Sequence, residues 1–209
     1  MPTRRHAQIS TRKQPQQARS TELVSAILEA AVRVLEKEGA QRFTTARVAE
    51  KAGVSVGSVY QYFPNKASIL FRLQSDEWRQ TTDMMRGILE DRATPPLDRL
   101  RRLVHAFVKS ECDEAAIRTA LADAAPLYRD APEAAEAKGE WESVTDAFMR
   151  EALPSRPKPA RDLAGDLITT TLSAVGKDFS ETPRTTAEIR TYADAMADMF
   201  CAYLKSLGR

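Results

Sequence analysis

Cysteine is nearly absent. Cys112 and Cys201 are the only two in 209 residues. They stand far apart and match no metal-ligand spacing, which speaks against a disulfide scaffold or a zinc site. Histidine is as scarce, with only His6 and His105. No H-E-x-x-H, phosphate-cradling G-K-[ST] or nucleophile elbow occurs. No catalytic residue, metal or cofactor is therefore expected, and the chain is not expected to be an enzyme. Glycines number 8 and aromatics make up 7%. With alanine abundant, that balance favours helices. No apolar run approaches the roughly 18 residues of a membrane span. The N-terminus is polar and basic and lacks the apolar core of a secretion signal. A cytoplasmic protein with reduced thiols and no membrane partner is expected.

What is present is enough to build a core. Hydrophobic residues make up 43% and charged residues 29%, a balance that suits one large or two small domains. The net charge of +2 conceals an asymmetry: residues 1–66 carry 11 Lys and Arg against 5 Asp and Glu, a net of +6, and residues 67–209 a net of −4. A basic end on an acidic remainder is the electrostatic footprint of a segment that meets phosphates. Residues 1–19 hold Arg4, Arg5, Arg12, Lys13 and Arg19 with no acid and read as a disordered basic arm. That arm is either a DNA-touching segment or a solvated tail.

Apolar periodicity divides the rest into helices. The first starts at Ser20 or Thr21, carries Leu23, Ile27, Ala30, Ala31 and Val34 on one stripe, and ends at Gly39. Two short helices follow over Thr44–Phe63, then a long one from Lys66 to about Ala93, stopped by Pro95 and Pro96. Further helices are expected over 97–111, 115–125, 133–152, 160–178 and 186–207, with prolines in the breaks. No strand pattern or internal repeat appears. The fold class is all-α, about nine helices, with a small N-terminal and a larger C-terminal domain.

The Phe43–Lys66 segment carries the chemistry. Thr44 can cap the first short helix, whose inner face is Val48, Ala49 and Ala52. Gly53 suits a left-handed turn. Ser55 can cap the second helix, whose Val59 and Phe63 face inward, and Pro64 ends it. Tyr60 lies toward the flank, and Ser58, Gln61 and Tyr62 point away. Small, hydroxyl and aromatic side chains stand where a surface helix ordinarily carries Glu and Lys. This is a helix-turn-helix. Its second helix is fitted to the major groove, with short side chains over Ser55–Ser58 admitting a close approach. Val56 can meet a thymine methyl and Gln61 an adenine or a phosphate. Tyr60, Tyr62 and Lys66 can meet phosphates.

The block Thr44–Leu70, with Gly53-Val54-Ser55, Tyr60-Gln61-Tyr62-Phe63 and Asn65-Lys66, resembles the DNA-binding domain of the tetracycline-repressor (TetR) family. The likeness covers Ser20 to Phe71. It implies DNA contacts at Thr44, Thr45, Ser55, Val56, Ser58, Tyr60, Gln61, Tyr62 and Lys66. Where it implies a base-reading arginine this chain has Ala46, with Arg47 next door as a phosphate contact. It further implies a homodimer on a pseudo-palindromic operator, released by a small-molecule effector, and so most readily a repressor. On this reading residues 20–66 are the DNA-binding domain and 67–209 the effector-binding and dimerisation domain.

Candidate effector-lining residues are Trp78, Met85, His105, Phe107, Cys112, Tyr128, Trp141, Phe148 and Phe179, although aromatics and methionines at helical spacing are core more often than pocket. Candidate interface residues are Leu163, Leu167, Thr171 and Ala174 on one helix, and Ile189, Ala193, Met196, Phe200 and Leu204 on the next. Asp162 and Asp166 are one turn apart and read as a solvated pair. The alternatives are a DNA-binding regulator or architectural protein without an effector, and a helical enzyme with a DNA-binding head.

Overall fold

The computed structural model describes residues 18–124 and 132–208, with side chains described over 20–124 and 141–208. Most of the basic arm, the Arg19 side chain and Tyr128 lie outside the described residues. Among the described residues there are nine helices and no strand: α1 (Ala18–Arg42), α2 (Thr45–Ala52), α3 (Val56–Tyr62), α4 (Lys66–Leu89), α5 (Pro96–Asp113), α6 (Ala115–Ala124), α7 (Pro132–Ala152), α8 (Lys158–Ser180) and α9 (Thr186–Gly208). The all-α expectation holds. From α5 onward, each boundary falls within two residues of the periodicity reading.

Three helix ends differ from that reading. α1 starts at Ala18 rather than Ser20 and runs on to Arg42, with Gly39, the expected end, as a kink of φ 72° inside it. α4 stops at Leu89, short of Ala93, and its last carbonyl is satisfied from outside the helix. The Leu89 carbonyl accepts from Arg99 Nη1. The chain then turns on Asp91, whose carboxylate accepts from Thr94 Oγ1 at 2.9 Å and from Arg102 Nη1 at 2.7 Å. The Arg102 guanidinium and the Thr94 hydroxyl hold the Asp91 carboxyl below the usual carboxylate range.

The chain divides into two compact units, Met1–Trp78 with Ala116–Ala134, and Arg79–Ala115 with Ala135–Arg209. The first is built on α1, α2, α3, the N-terminal part of α4, and α6. Ile27, Ala31, Leu35, Phe43, Val48, Val59, Phe63, Ile69 and Leu70 are fully enclosed, and Leu121 of α6 joins them. Each of the Val, Leu, Ile and Phe side chains contributes about 1.5–3 kcal/mol relative to exposure. Arg118 of α6 reaches Glu77 of α4 at 2.9 Å, both side chains largely buried.

In the second unit α5 packs on both α8 and α9. Its Leu100, Leu103, Val104, Phe107 and Val108 share a core with Ile168, Leu172 and Phe179 of α8, Ala193, Met196, Phe200 and Leu204 of α9, Phe148 and Met149 of α7, and Leu153 just after α7. α8 comes close to its neighbours at two glycines. A Cβ on Gly176 would stand 2.9 Å from Phe107, and one on Gly165 3.0 Å from Thr145. Arg99, 1% exposed, lies in this core. It donates to the Leu89 carbonyl and to Glu151 of α7, and its guanidinium stands 5.6 Å from the Phe148 ring centroid. Burial raises the pKa of both cysteine thiols, which suits inert packing groups better than nucleophiles.

Candidate nucleic-acid interface

Local chemistry builds the head turn by turn. The Thr44 hydroxyl accepts from Arg47 N at 3.3 Å and caps α2. Gly53 closes α2 with φ 68°, its N–H donating to the Glu50 carbonyl at 3.1 Å. A side chain at that φ costs about 1 kcal/mol. Val54 N returns to the Ala49 carbonyl at 3.0 Å. Ser55 then caps α3, its hydroxyl accepting from Ser58 N at 3.0 Å and lying 2.8 Å from the Ser58 hydroxyl. Asn65 and Ser68 cap α4 reciprocally: Ser68 N donates to Asn65 Oδ1 at 2.9 Å and Asn65 N to Ser68 Oγ at 3.4 Å. That box fixes Lys66 as the first residue of α4.

α3 therefore presents one face to the core and one to solvent. Val59, Tyr62 and Phe63 are buried, while Ser55, Val56, Gly57, Tyr60 and Gln61 are exposed. Val56 at 39% and Tyr60 at 41% are the exposed large hydrophobics of this unit among the described residues. Apolar groups held outward beside hydroxyls and an amide match a groove lined with base edges and thymine methyls. Thr44 is exposed, and Thr45, Arg47, Ser58 and Lys66 are half-buried. The Thr45 hydroxyl lies 3.1 Å from the Tyr60 hydroxyl.

One sequence expectation needs revision. Tyr62 does not point away: it is 5% exposed. Standing three residues after Val59, it shares the inner stripe of a short helix. The Arg47 guanidinium pairs with Glu38 of α1. Periodicity could not find Glu38, which is nine residues away on another helix. The Asn65–Ser68 box was also missed, although its spacing is that of an N-terminal cap.

The second unit brings together part of the effector-lining set. Met85, Phe107, Phe148 and Phe179 are buried in its core, with Trp141 and Cys112 partly buried against it. Trp78 falls in the other unit. The His105 ring is half-exposed, and its Nε2 lies 3.0 Å from Asp194 Oδ1. Asp162 accepts from Lys158 Nζ at 2.7 and 2.8 Å.

The two candidate interface stripes separate. Leu163 at 64% and Leu167 at 48% are exposed on α8, as is Ala174, while Thr171 is half-buried. On α9 the expected stripe faces the other way. Ala193, Met196, Phe200 and Leu204 are buried, and Ile189 packs partly against the same core. The reason is that α5 takes the stronger apolar face of α9 for the chain's own core. The outward side of α9 carries Tyr192 at 37% and Met199 at 52%, with Ala195 and Ala202 also exposed.

Capped short helices, a left-handed glycine between them and an outward α3 bearing Val56, Tyr60 and Gln61 define a helix-turn-helix protein of the DNA-binding class. Residues 27–73 match the family model described as bacterial regulatory proteins, tetR family. Residues 95–207 match that of the tetracyclin repressor-like C-terminal domain. The chain belongs to the TetR family of transcriptional regulators.

One relative is the fatty acid metabolism regulator protein of Bacillus subtilis, 34% identical over 68 residues, which are 32% of this chain and 35% of that protein. The matched parts span between 21% and 42% of the curated relatives' lengths. Among solved structures, NalD of Pseudomonas aeruginosa, the secondary repressor of the MexAB-OprM multidrug efflux pump, aligns with a TM-score of 0.61 at 19% identity, covering 87% of this chain and 96% of that one. FadR of Bacillus subtilis, solved with stearoyl-CoA, aligns with a TM-score of 0.63 at 16% identity, covering 85% and 97%. At such identities the likeness is one of fold. No described helix is long and apolar enough to cross a membrane.

Proposed function

We propose that this chain is a homodimeric, cytoplasmic repressor that binds a pseudo-palindromic operator through α3 and leaves it when a small-molecule effector binds. It is a regulator and not an enzyme. The observation that carries the reading is α3 itself, whose outward face holds Val56 and Tyr60 exposed in the part of the chain with net charge +6. DNA-contacting residues are Thr44, Thr45, Arg47, Ser55, Val56, Ser58, Tyr60, Gln61 and Lys66. Residues 20–66 form the DNA-binding domain, and 67–209 serve effector binding and dimerisation.

Dimerisation draws support from the exposed apolar groups of α8 and α9: Leu163, Leu167, Tyr192 and Met199. Two copies joined there would bring two recognition helices to half-sites spaced by turns of the duplex. Effector binding draws support from the aromatic and methionine core of the second unit and from relatives such as FadR, solved with stearoyl-CoA. Repression draws support from NalD, itself a repressor.

The test is genome-wide recovery of DNA bound by the protein, followed by binding to the recovered sites at several salt concentrations. One recurrent two-fold site with nanomolar, salt-sensitive binding is expected. Scattered recovery with no shared site would defeat the operator reading. Metabolites suggested by the adjoining genes should then weaken binding.

A further inference from the structure

We infer that Glu38 is a positioning residue for DNA contact: its carboxylate holds the Arg47 guanidinium at the N-terminal turn of α2, where that guanidinium meets a backbone phosphate. This rests on reading α2 and α3 as the DNA-facing pair.

Arg47 is the third residue of α2, a helix with no acid in its first turn. A cation there sits at the positive end of the helix dipole and is disfavoured. Arg42 stands nearby, 3.9 Å from the same Glu38 Oε2 that Arg47 Nη1 engages. Two guanidiniums and a helix N-terminus would repel one another, and the Glu38 carboxylate offsets that repulsion. It is the last residue of α1 before Gly39, whose φ of 72° redirects the chain, and its side chain is only 24% exposed against 37% for Arg47. The carboxylate is thus the more buried partner and the arginine the one nearer the surface.

The stoichiometry leaves the arginine competent. A guanidinium has five N–H donors in a planar fork, and one carboxylate engages a single edge of it. Two arginines around one acid keep a net positive charge. The fork is held on the same helical turn as Thr44 and Thr45, and a phosphate approaching that turn meets an arginine with little rotamer freedom left to lose. With Ala46 in the preceding position, Arg47 is the basic side chain of this turn.

The experiment uses the full chain and a random-sequence duplex of about 20 base pairs at low salt, because a phosphate contact is independent of sequence. Affinity is measured against salt for wild type, Glu38→Ala, Glu38→Gln, Glu38→Asp, Arg47→Ala and the Glu38→Ala/Arg47→Ala double variant. Glu38→Ala and Arg47→Ala should each weaken binding about five- to tenfold and each flatten the log–log salt slope by about one. Glu38→Asp should recover most of the loss, and the double variant should bind no more weakly than Arg47→Ala. Thermal unfolding run alongside identifies any variant that does not fold; Glu38→Gln, which keeps the shape and removes the charge, is then read instead.

Three outcomes overturn the inference: tighter binding by Glu38→Ala, which would make the carboxylate a competitor of phosphate; an unchanged slope; or additive losses in the double variant, which would make the role merely structural. A wild-type protein with no salt-sensitive duplex binding would overturn the DNA-binding reading and this inference with it.

Discussion

Thr45 Oγ1 and the Tyr60 hydroxyl lie 3.1 Å apart, joining the first turn of α2 to the outer face of α3. Both hydroxyls are at the surface, so their mutual contact adds little to stability, about 1 kcal/mol or less. What the contact does is hold an exposed phenol in one orientation. A hydroxyl fixed in that way can meet a phosphate without first being ordered. Tyr60→Phe is therefore expected to melt within a few degrees of wild type and to bind operator DNA several-fold more weakly. Calorimetry and a fluorescence-anisotropy titration check the two halves; unchanged affinity would reduce the phenol to a brace between helices.

Gly57 separates fold from function sharply. A Cβ there meets nothing closer than Ser55 Oγ at 3.7 Å, an ordinary contact. Alanine also suits a helix better than glycine by about 1 kcal/mol. Gly57→Ala should fold as well as wild type or better. Because Gly57 is exposed on α3 between Val56 and Ser58, the added methyl should nevertheless push DNA away and lower affinity about tenfold or more, roughly 1.4 kcal/mol. Parallel melting and gel-shift measurements decide it, and equal affinity would mean that DNA does not approach α3 closely at this point.

Lys66 and Val56 should fail in different ways. In the proposed docking Lys66, set at the start of α4 by the Asn65–Ser68 box, acts as a point charge on a phosphate. Lys66→Ala should weaken binding to every sequence and lower the salt slope by about one unit. Val56→Ala should remove the proposed methyl contact and relax sequence preference more than it changes total affinity. Binding selections from a randomised duplex pool, with salt titrations of the same variants, separate the two. Identical profiles would count against the proposed docking of α3.

The Arg99–Glu151 pair is asymmetric, and its variants should be too. Arg99 is 1% exposed and Glu151 39%. Glu151→Ala leaves a guanidinium buried beside Phe148 with only the Leu89 carbonyl as an anchor, at a cost of about 2–4 kcal/mol. Arg99→Met puts an apolar chain of similar reach into the core and leaves Glu151 free to be solvated, at about 1.5 kcal/mol or less. Urea unfolding should rank the second variant as the more stable. The reverse order would mean that the guanidinium's hydrogen bond to α4 outweighs the desolvation of the charge.

Leu167 and Met199 test the dimer face. Leu167→Glu and Met199→Glu place charges on exposed positions and should leave folded chains that sediment as monomers. Met196→Glu, only three residues from Met199, puts a carboxylate at a site 6% exposed and should unfold the domain instead. Sedimentation velocity with circular dichroism reads both. A Leu167→Glu/Met199→Glu chain that still sediments as a dimer would move the interface elsewhere.

The all-α class, the helix order and most helix limits could be read from the sequence alone, because they rest on local physics: a 3.6-residue apolar period, prolines in the breaks, and hydroxyl caps at Thr44 and Ser55. The same holds for the left-handed Gly53 and the basic sign of the head. Tertiary structure decided what period and charge leave open. A stripe on a helix says that something covers it, not what does. So it took the fold to turn Tyr62 inward, to give α5 the Met196–Phe200 face of α9 while leaving Tyr192 and Met199 outside, and to pack Leu121 of α6 into the head core. Arg47 shows the limit most plainly. Its identity as a surface cation was legible, but the carboxylate that restrains it comes from nine residues earlier, across a turn whose geometry only the folded chain supplies.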